Sequence, residues 1–226
     1  MECISLNHGF SFIWNNKTSF IIRLTYIKEI WLINPTDGCQ HSMNEQGIKI
    51  NQIAKILITD LHIDSMSGLL GVLSSLNLSG RGNSLHIYGP YGLEEYLDLG
   101  KKYSHTNFCY MLYIHVLNKG LVVDYSHYRL YVTVKNNFFE FFMIAHEKYG
   151  KFLLDKAKKF HVISGPLYGK LKKNLNFILP DGFVLNGYNF TQQTCIGIKI
   201  YIIFQKYHFR QSLENSISSY IVIQKL

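Results

Sequence analysis

One stretch of the chain, Ile56–Tyr91, constrains its fold more than any other. A short apolar run at Lys55–Thr59 suits a buried strand, and the leucines of Ser65–Leu76 recur close to helical spacing. A further strand at Ser84–Tyr88 ends before a Gly-Pro turn. The pattern predicts a strand, a helix and a strand in quick succession. The loop after the first strand contains three ionisable residues, Asp60, His62 and Asp64.

Segments rich in β-branched and aromatic residues dominate the rest of the chain and predict further strands. Together with the stretch above, they indicate a mixed α/β protein without regular alternation of strand and helix. The predicted strands are Phe12–Trp14, Ser19–Tyr26, Glu29–Ile33, Tyr110–Val116, Tyr128–Val134, Phe138–Ala145, Ile198–Phe204 and Ser219–Ile223, and the predicted helices are Leu93–Lys102, Lys151–Phe160 and Leu167–Lys173.

The composition, 47% hydrophobic and 17% charged, excludes an intrinsically disordered chain. No segment approaches the roughly 20 apolar residues that cross a bilayer, so no membrane association is expected. The N-terminus has no basic region followed by an apolar core, and we expect the protein to work where it is made. The four cysteines form no C-x-x-C pair, which argues against a zinc ribbon or a disulfide framework.

The chain carries a formal net charge of +8, and most of that excess lies in one segment. A concentration of lysines predicts an anionic partner, although such a run is also typical of a solvated helix face. Asp155 is the one acid between residues 151 and 173, and the lysines there are Lys151, Lys156, Lys158, Lys159, Lys170, Lys172 and Lys173.

The stretch Ile56–Tyr91 resembles the ribonuclease Z family, the tRNA 3′-processing endonucleases of the metallo-β-lactamase superfamily. In that family a strand runs into T-H-x-H-x-D-H, followed by a G-L-P-G helix and a strand that ends in Y-G-P. The residues in register are Thr59, His62, Asp64, Gly68, Leu69, Gly71, Ser75, Tyr88, Gly89 and Pro90. Weaker landmarks extend the resemblance over residues 1–205; they are Asn16 with Thr18-Ser19, Trp31-Leu32 with Gln40-His41, Gly165-Pro166, Asp181-Gly182 and Asn186-Gly187.

The resemblance implies a metallo-β-lactamase-like αββα sandwich of the α/β (α+β) class, truncated at its C-terminal end. We expect a single domain over residues 1–226, with residues 151–189 inserted in it as a basic arm that grips tRNA. The arm residues implied to bind RNA are Gly165, Pro166, Lys170, Lys172 and Lys173, and Tyr168 is a candidate to pack against a ribose or a base.

The chemistry that the resemblance implies is hydrolysis of a phosphodiester by two zinc ions. His62 and Asp64 match metal ligands of the family, Asp64 also matches its catalytic carboxylate, and Asp60 replaces a histidine but offers an oxygen ligand. The other replaced ligand positions are Ser65, Val134 and Gln205, and His208 is a conceivable substitute.

Each zinc would therefore keep about one of the three protein ligands that catalytic zinc normally needs. We expect zinc not to be retained and catalysis to be impaired or lost. The alternative roles for the two surviving residues are structural: His62 as a hydrogen-bonded remnant near the end of the strand, and Asp64 as the N-cap of the following helix.

The resulting hypothesis is a ribonuclease Z-like protein of tRNA 3′-end maturation, with its enzymatic activity left open. A non-catalytic tRNA-binding or scaffold subunit is the alternative, and a decaying reading frame without a stable product is a third. The expected partners are tRNA or precursor tRNA and a second protein chain, in a homodimer or a heterodimer. Abundant Phe, Tyr, Ile, Asn and Lys indicate an AT-rich gene and a plastid-encoded stromal protein, with a bacterial cytoplasm as the alternative.

Overall fold

The structure is a computed structural model of the chain. It describes residues 3–6, 10–14, 19–24, 28–125, 128–135, 138–146, 150–180, 182–192, 197–203, 210–217, 219 and 221–224. The chain divides into two compact units, one formed by residues 1–124, 129–143 and 200–226, and the other by residues 125–128 and 144–199.

The first unit contains a sheet of seven strands whose order in space follows their order in the chain. Neighbouring strands are antiparallel from β1 to β4 and parallel from β4 to β7. The strands are β1 (Cys3–Leu6), β2 (Phe10–Trp14), β3 (Phe20–Leu24), β4 (Glu29–Ile33), β5 (Ile53–Leu57), β6 (Leu85–Gly89) and β7 (Leu112–Val116).

The connections between the parallel strands contain the helices α1 (Cys39–Glu45), α2 (Ile63–Met66), α3 (Leu69–Leu78) and α4 (Leu93–Ser104). Parallel strands require such crossover connections, and the helices then cover one face of the sheet. The buried residues of α1, α3 and α4 form one apolar cluster with alternate residues of the strands; they include Met43, Leu69, Leu73, Leu97, Ile56 and Ile87.

A second sheet, formed mostly by residues of the same unit, has five strands in the order β14-β13-β10-β9-β8. Its strands are β8 (Gly120–Asp124), β9 (Tyr128–Lys135), β10 (Phe138–Ala145), β13 (Ile198–Ile203) and β14 (Ile221–Gln224). The Phe139 amide donates to the Thr59 carbonyl at 3.1 Å, so β10 meets the end of β5. The first-sheet face opposite the helices is also buried, at Phe20, Ile22 and Trp31, which agrees with a second sheet against it.

A helix, α7 (Arg210–Ile217), is joined to the second sheet through the buried carboxylate of Glu140. Ser212 and Tyr201 donate hydroxyl hydrogen bonds to that carboxylate at 2.7 and 2.6 Å. Burial and the bond to Glu140 raise the pKa of Tyr201 to about 12. The layers are therefore helix, sheet, sheet and helix, which confirms the predicted αββα sandwich.

Most of the second unit lies in the chain between β10 and β13, and it has its own small core. It contains α5 (Leu154–Lys159), α6 (Pro166–Lys172) and a short hairpin of β11 (Phe177–Ile178) and β12 (Val184–Leu185). A bridge pairs Phe152 with Thr191, and the Gln192 amide donates to the Lys151 carbonyl at 2.9 Å. The two ends of this segment therefore meet.

The predicted helix Ser65–Leu76 is wrong as a single element, because the chain forms two helices that are interrupted at Ser67 and Gly68. The Gly68 amide leaves the helical pattern and donates to the Pro35 carbonyl at 2.8 Å. Six of the described helices and strands were not predicted: α1, α7, β1, β8, β11 and β12. Among the described helices, none has the length and apolar character needed to cross a membrane.

Candidate functional site at the end of strand β5

Thr59, which follows β5, is completely buried and is held in place by Asn34 at the end of β4. The Thr59 amide donates to Asn34 Oδ1, and Asn34 Nδ2 donates to Thr59 Oγ1, both at 3.0 Å. Asn34 adopts a left-handed backbone conformation with φ of 48°, which asparagine tolerates better than most residues. The start of the loop is therefore fixed from both neighbouring strands.

The Asp60 carboxylate lies at the centre of this loop and accepts three hydrogen bonds. Oδ1 accepts from the His62 amide at 2.8 Å. Oδ2 accepts from Thr59 Oγ1 at 2.8 Å and from Ser65 Oγ at 3.0 Å. The two residues that stand in place of family histidines, Asp60 and Ser65, are thus bonded to each other. Hydrogen bonds to a charged acceptor are stronger than neutral ones, so Asp60 closes the loop onto itself.

His62 is the N-cap of α2, since its Nδ1 accepts a hydrogen bond from the Asp64 amide at 3.3 Å. The prediction that Asp64 caps this helix is therefore wrong; Asp64 lies in the first turn, where its charge favours the helix dipole. The Asp64 carboxylate approaches His62 Nδ1 to 3.5 Å. Both side chains are two-thirds exposed, so this contact contributes little to stability.

The described residues of this loop do not supply the three protein ligands that a catalytic zinc ion needs. Both Asp60 oxygens and His62 Nδ1 are already acceptors of protein hydrogen bonds. Within the described ranges, no three His, Cys, Asp or Glu side chains lie together in a group that could hold a metal ion. Val134 is an exposed residue of β9 with an apolar side chain. Gln205 and His208 lie outside the described residues.

Other landmarks of the sequence match are packing contacts rather than site residues. A Cβ added at Gly68 would lie 2.2 Å from the Thr36 carbonyl oxygen, so only glycine allows α3 to approach that loop. Ser75 of α3 donates a hydroxyl hydrogen bond to Gln40 of α1. These contacts join the helices that carry the loop to the sheet, and they do not depend on a metal.

The predicted RNA-binding residues lie on or next to α6 in the second unit. Gly165 is the N-cap of α6 and Pro166 is its first residue. The three lysines, Lys170, Lys172 and Lys173, are exposed. Apolar residues of the same segment point inward and form the core with Ala157, Val162, Leu171, Leu185 and Phe190.

The sequence suggested that Tyr168 packs against a ribose or a base, but in the structure its side chain makes contacts within the second unit. Its hydroxyl donates to the Val162 carbonyl at 2.9 Å, and its ring packs against Phe152 at 4.9 Å between ring centres. Lys170 Nζ lies 5.0 Å from the centre of the Phe177 ring, which orients the start of the lysine row. The second unit therefore presents charge outward on a packed support.

A row of polar and aromatic side chains crosses the first sheet and was not predicted from the sequence. Lys55 pairs in register with Trp31 and His86, and His86 pairs with Tyr113. Lys55 is buried, and its Nζ lies 3.1 Å from Glu29 Oε2. Polar and apolar residues alternate in β6 and β7, and this alternation is the sequence pattern that indicates a polar face of the sheet at His86 and Tyr113.

Beside this row, His86 Nδ1 and His115 Nε2 lie 3.0 Å apart on adjacent strands. Burial lowers the pKa of both histidines, and the pKa of His86 is lowered further by its neighbours His115 and Lys55. The neutral forms are therefore favoured, and one imidazole N–H is donated to the other ring.

The sequence is similar to those of several known proteins, although no protein-family model matches it. It is 36% identical over 228 residues to the uncharacterized protein ycf56 of Porphyra purpurea, covering 98% of this chain and 87% of that protein. It is 34% identical to the ribonuclease Z of Acaryochloris marina, covering 93% of this chain and 68% of that protein. The match to the ribonuclease Z of Nostoc, at 32% identity, spans only 58% of that protein's length.

Solved structures support the fold alone, since their sequence identity is low. The short form of human tRNase Z superposes with a TM-score of 0.50 at 23% identity, over 58% of this chain and 60% of that one. MEM-A1, a subclass B3 metallo-β-lactamase, gives a TM-score of 0.53 at 9% identity over the whole of this chain and 79% of its own. These likenesses confirm the metallo-β-lactamase fold. The chain has this fold, and it is 34% identical to a ribonuclease Z over 68% of that protein's length. It therefore belongs to the ribonuclease Z family.

Proposed function

We propose that this protein acts in tRNA 3′-end maturation by binding tRNA or precursor tRNA, without forming the two-zinc centre that the family resemblance implies. The observation that carries the proposal is the engagement of Asp60, whose two carboxylate oxygens accept bonds from Thr59, His62 and Ser65. A carboxylate used in this way supports a closed loop that is stable without metal. The cleavage step would then belong to a separate ribonuclease Z.

The lysine-rich second unit supplies the binding half of the proposal. Lysine ammonium groups contact phosphates without reading sequence, and each contact releases counterions from the nucleic acid. Duplex RNA is recognised mostly through its shape and backbone, which suits a row of exposed lysines on a compact support. Gly165 and Pro166 begin the helix on which Lys170 and Lys172 stand, and Lys173 follows it.

The cellular setting that we propose is the soluble stroma of a plastid. Two red algal proteins named ycf56 and several cyanobacterial ribonucleases Z are among the relatives, which supports a plastid origin. The AT-rich residue usage of the chain points the same way. A subunit without its own metal centre also suits a dimer, either with a second copy or with an active ribonuclease Z.

The binding half is tested with the purified full chain and a radiolabelled precursor tRNA in a filter-binding titration. We expect salt-dependent binding that weakens at least tenfold when Lys170, Lys172 and Lys173 are all changed to Gln. The matched control makes the same charge change in the first unit, at Lys101, Lys102 and Lys119, and should bind nearly as well as the unchanged protein. Equal affinity of the two triple variants would refute the role of the lysine row.

The catalytic half is tested with the same precursor, with Zn²⁺ or Mn²⁺ added, and with a cyanobacterial ribonuclease Z as the positive control. We expect the precursor to stay intact and the protein to contain substoichiometric zinc by mass spectrometry of metals. Metal-dependent cleavage that disappears in the Asp64→Ala variant would show a divergent enzyme and overturn this half, while leaving the binding half standing.

A further inference from the structure

A basic cavity lies at the other end of β5 from the loop described above. It has a volume of about 380 Å³ and is lined by Arg23, Lys28, Lys49, Gln52, Ile30 and Gly47. Among the residues that the structure describes, no acidic side chain lines it. Three cationic side chains around one cavity raise the local concentration of anions, because low-dielectric walls focus their field.

The sheet topology explains why these three residues come together. Arg23 on β3 pairs in register with Ile30 of β4, and Lys28 immediately precedes β4. Lys49 precedes the short 3-10 turn that leads into β5, whose first residue pairs with Ile30. The cavity therefore lies at the amino ends of β4 and β5. Five residues of β5, at roughly 3.3 Å each, separate it from the Asp60 loop.

The cations of this cavity differ from other cations in the same unit, which have acidic partners. Lys55, Lys101 and Arg129 are paired with carboxylates at 2.9–3.1 Å. By contrast, no ion pair or hydrogen bond joins the side chains of Arg23, Lys28 or Lys49 to any part of the chain that the structure describes. Their charge is thus available to a ligand, and each side chain is at least partly accessible to solvent.

A second cavity of about 640 Å³ shares Lys49 and Gly47 with the first and extends it along α1. Its lining adds amide side chains and no acid; the amides are Gln40, Asn44 and Asn51. A groove with cations at one end and amides along its length matches a ligand with phosphate at one end and a polar sugar or base beside it. Each cavity is within the size range of ordinary small-ligand sites.

We propose that this basic cavity binds phosphate groups, and that Arg23, Lys28 and Lys49 hold them. Arginine contributes a planar fork that meets two phosphate oxygens at once, and the lysines add mobile point charges. The same chemistry is offered by the backbone of RNA and by a free compound with a pyrophosphate group. In its RNA form the inference rests on the proposed tRNA binding and adds a phosphate contact on the first unit to that of the lysine row on the second.

The test compares Arg23→Gln/Lys49→Gln with the control Lys102→Gln/Lys119→Gln, which makes the same charge change elsewhere in the first unit. Each full-length protein is titrated with a mature tRNA at several salt concentrations and, separately, with inorganic pyrophosphate by calorimetry. We expect about tenfold weaker tRNA binding in the cavity variant and a salt slope smaller by roughly 1.4–1.8, as two lost phosphate contacts require. The control should retain both values.

The outcomes separate the two ligand sources. Weaker tRNA binding without pyrophosphate binding assigns the cavity to the RNA backbone, whereas pyrophosphate binding lost in the cavity variant, with tRNA affinity unchanged, assigns it to a free phosphate compound. If the cavity variant behaves like the control with both probes, the inference is wrong. Should Arg23→Gln disturb folding, Lys28→Gln/Lys49→Gln removes the charges of two exposed residues and decides the same question. A wild-type protein that binds no tRNA sinks the proposed function, and the pyrophosphate titration still judges the cavity.

Discussion

Asp60 illustrates how one residue can change the role of a loop while the surrounding backbone is kept. A histidine at this position of the family motif would direct a neutral ring nitrogen to a metal. The aspartate here instead accepts bonds from the Thr59 and Ser65 hydroxyls and from the His62 amide. Ser65, the second replaced position, supplies one of those donors, so the two substitutions support each other.

Replacing Asp60 with Ala should lower the free energy of unfolding by about 2–3 kcal/mol, because three donors lose a charged acceptor. The matched control is Asp64→Ala in the same loop, where the side chain is two-thirds exposed and the expected loss stays below about 1 kcal/mol. Urea denaturation followed by circular dichroism measures both. Equal losses in the two variants would contradict a structural role for Asp60.

The sequence singled out Asp60, His62 and Asp64, but it did not predict which of them hold the loop together. That choice depends on the path of the backbone after β5, which places the His62 amide against one carboxylate oxygen of Asp60. The capping residue was misassigned for the same reason. Aspartate is a better N-cap by preference, yet here the His62 ring reaches the Asp64 amide.

At the level of elements, the break between α2 and α3 separates the short helix α2, which begins in the Asp60 loop, from the longer helix α3. Apolar residues continue at helical spacing through the break, so the pattern predicted a single helix. A contact distant in sequence decides otherwise, because the Gly68 amide bonds to the Pro35 carbonyl. By contrast, β4 and β10 have the bounds that the sequence predicted, since both strands are bounded by local breaks.

Gly68→Ala should destabilise the protein by about 2–3 kcal/mol, since the new methyl group would meet backbone atoms of Thr36 that cannot rotate away. Gly169→Ala is the control, because a methyl group there meets nothing within 4 Å and alanine is the better helix former. Thermal melts should show a clear drop for the first variant and no drop for the second. A Gly68→Ala protein as stable as the parent would show that the helix break is not needed.

The adjacent strands β6 and β7 give the first unit a dependence on pH through His86 and His115. Both pKa values are lowered in the folded protein, so the unfolded chain binds more protons below its ordinary histidine pKa of 6.5. The stability that these residues contribute is present above pH 6.5 and is lost as the pH falls. Urea midpoints at pH 7.5 and 5.5 should differ less in His86→Gln/His115→Gln than in the parent. His146→Gln should keep the parental difference, and a double variant that also keeps it would contradict this account.

On the scale of the whole molecule, the chain keeps the αββα framework of its family and differs in residues of the loop that follows strand β5. The close approach at Gly68 and the bond between Ser75 and Gln40 lie within the αββα framework, and the sequence match identified all three residues. The match could not reveal the polar row through Lys55 or the basic cavity, because both arise from residues that the topology brings together from separate strands. Proximity of this kind is set by sheet register, which the sequence alone does not fix.

The second unit offers the largest test, since the expectation of an arm inserted in a single domain remains a prediction. Lys151 and Gln192 are joined by a backbone hydrogen bond, so residues 152–191 can be replaced by two glycines with little change in the path of the chain. The main helix-facing core draws on residues 21–110 alone, and we expect the shortened protein to unfold cooperatively near the parental temperature. Its tRNA affinity should fall at least tenfold, because the segment carries six of the lysines in the basic run. A shortened protein that cannot fold would show that the segment belongs to the core of the domain. A shortened protein that binds tRNA as before would assign the RNA-binding surface to the first unit, where the basic cavity is the candidate.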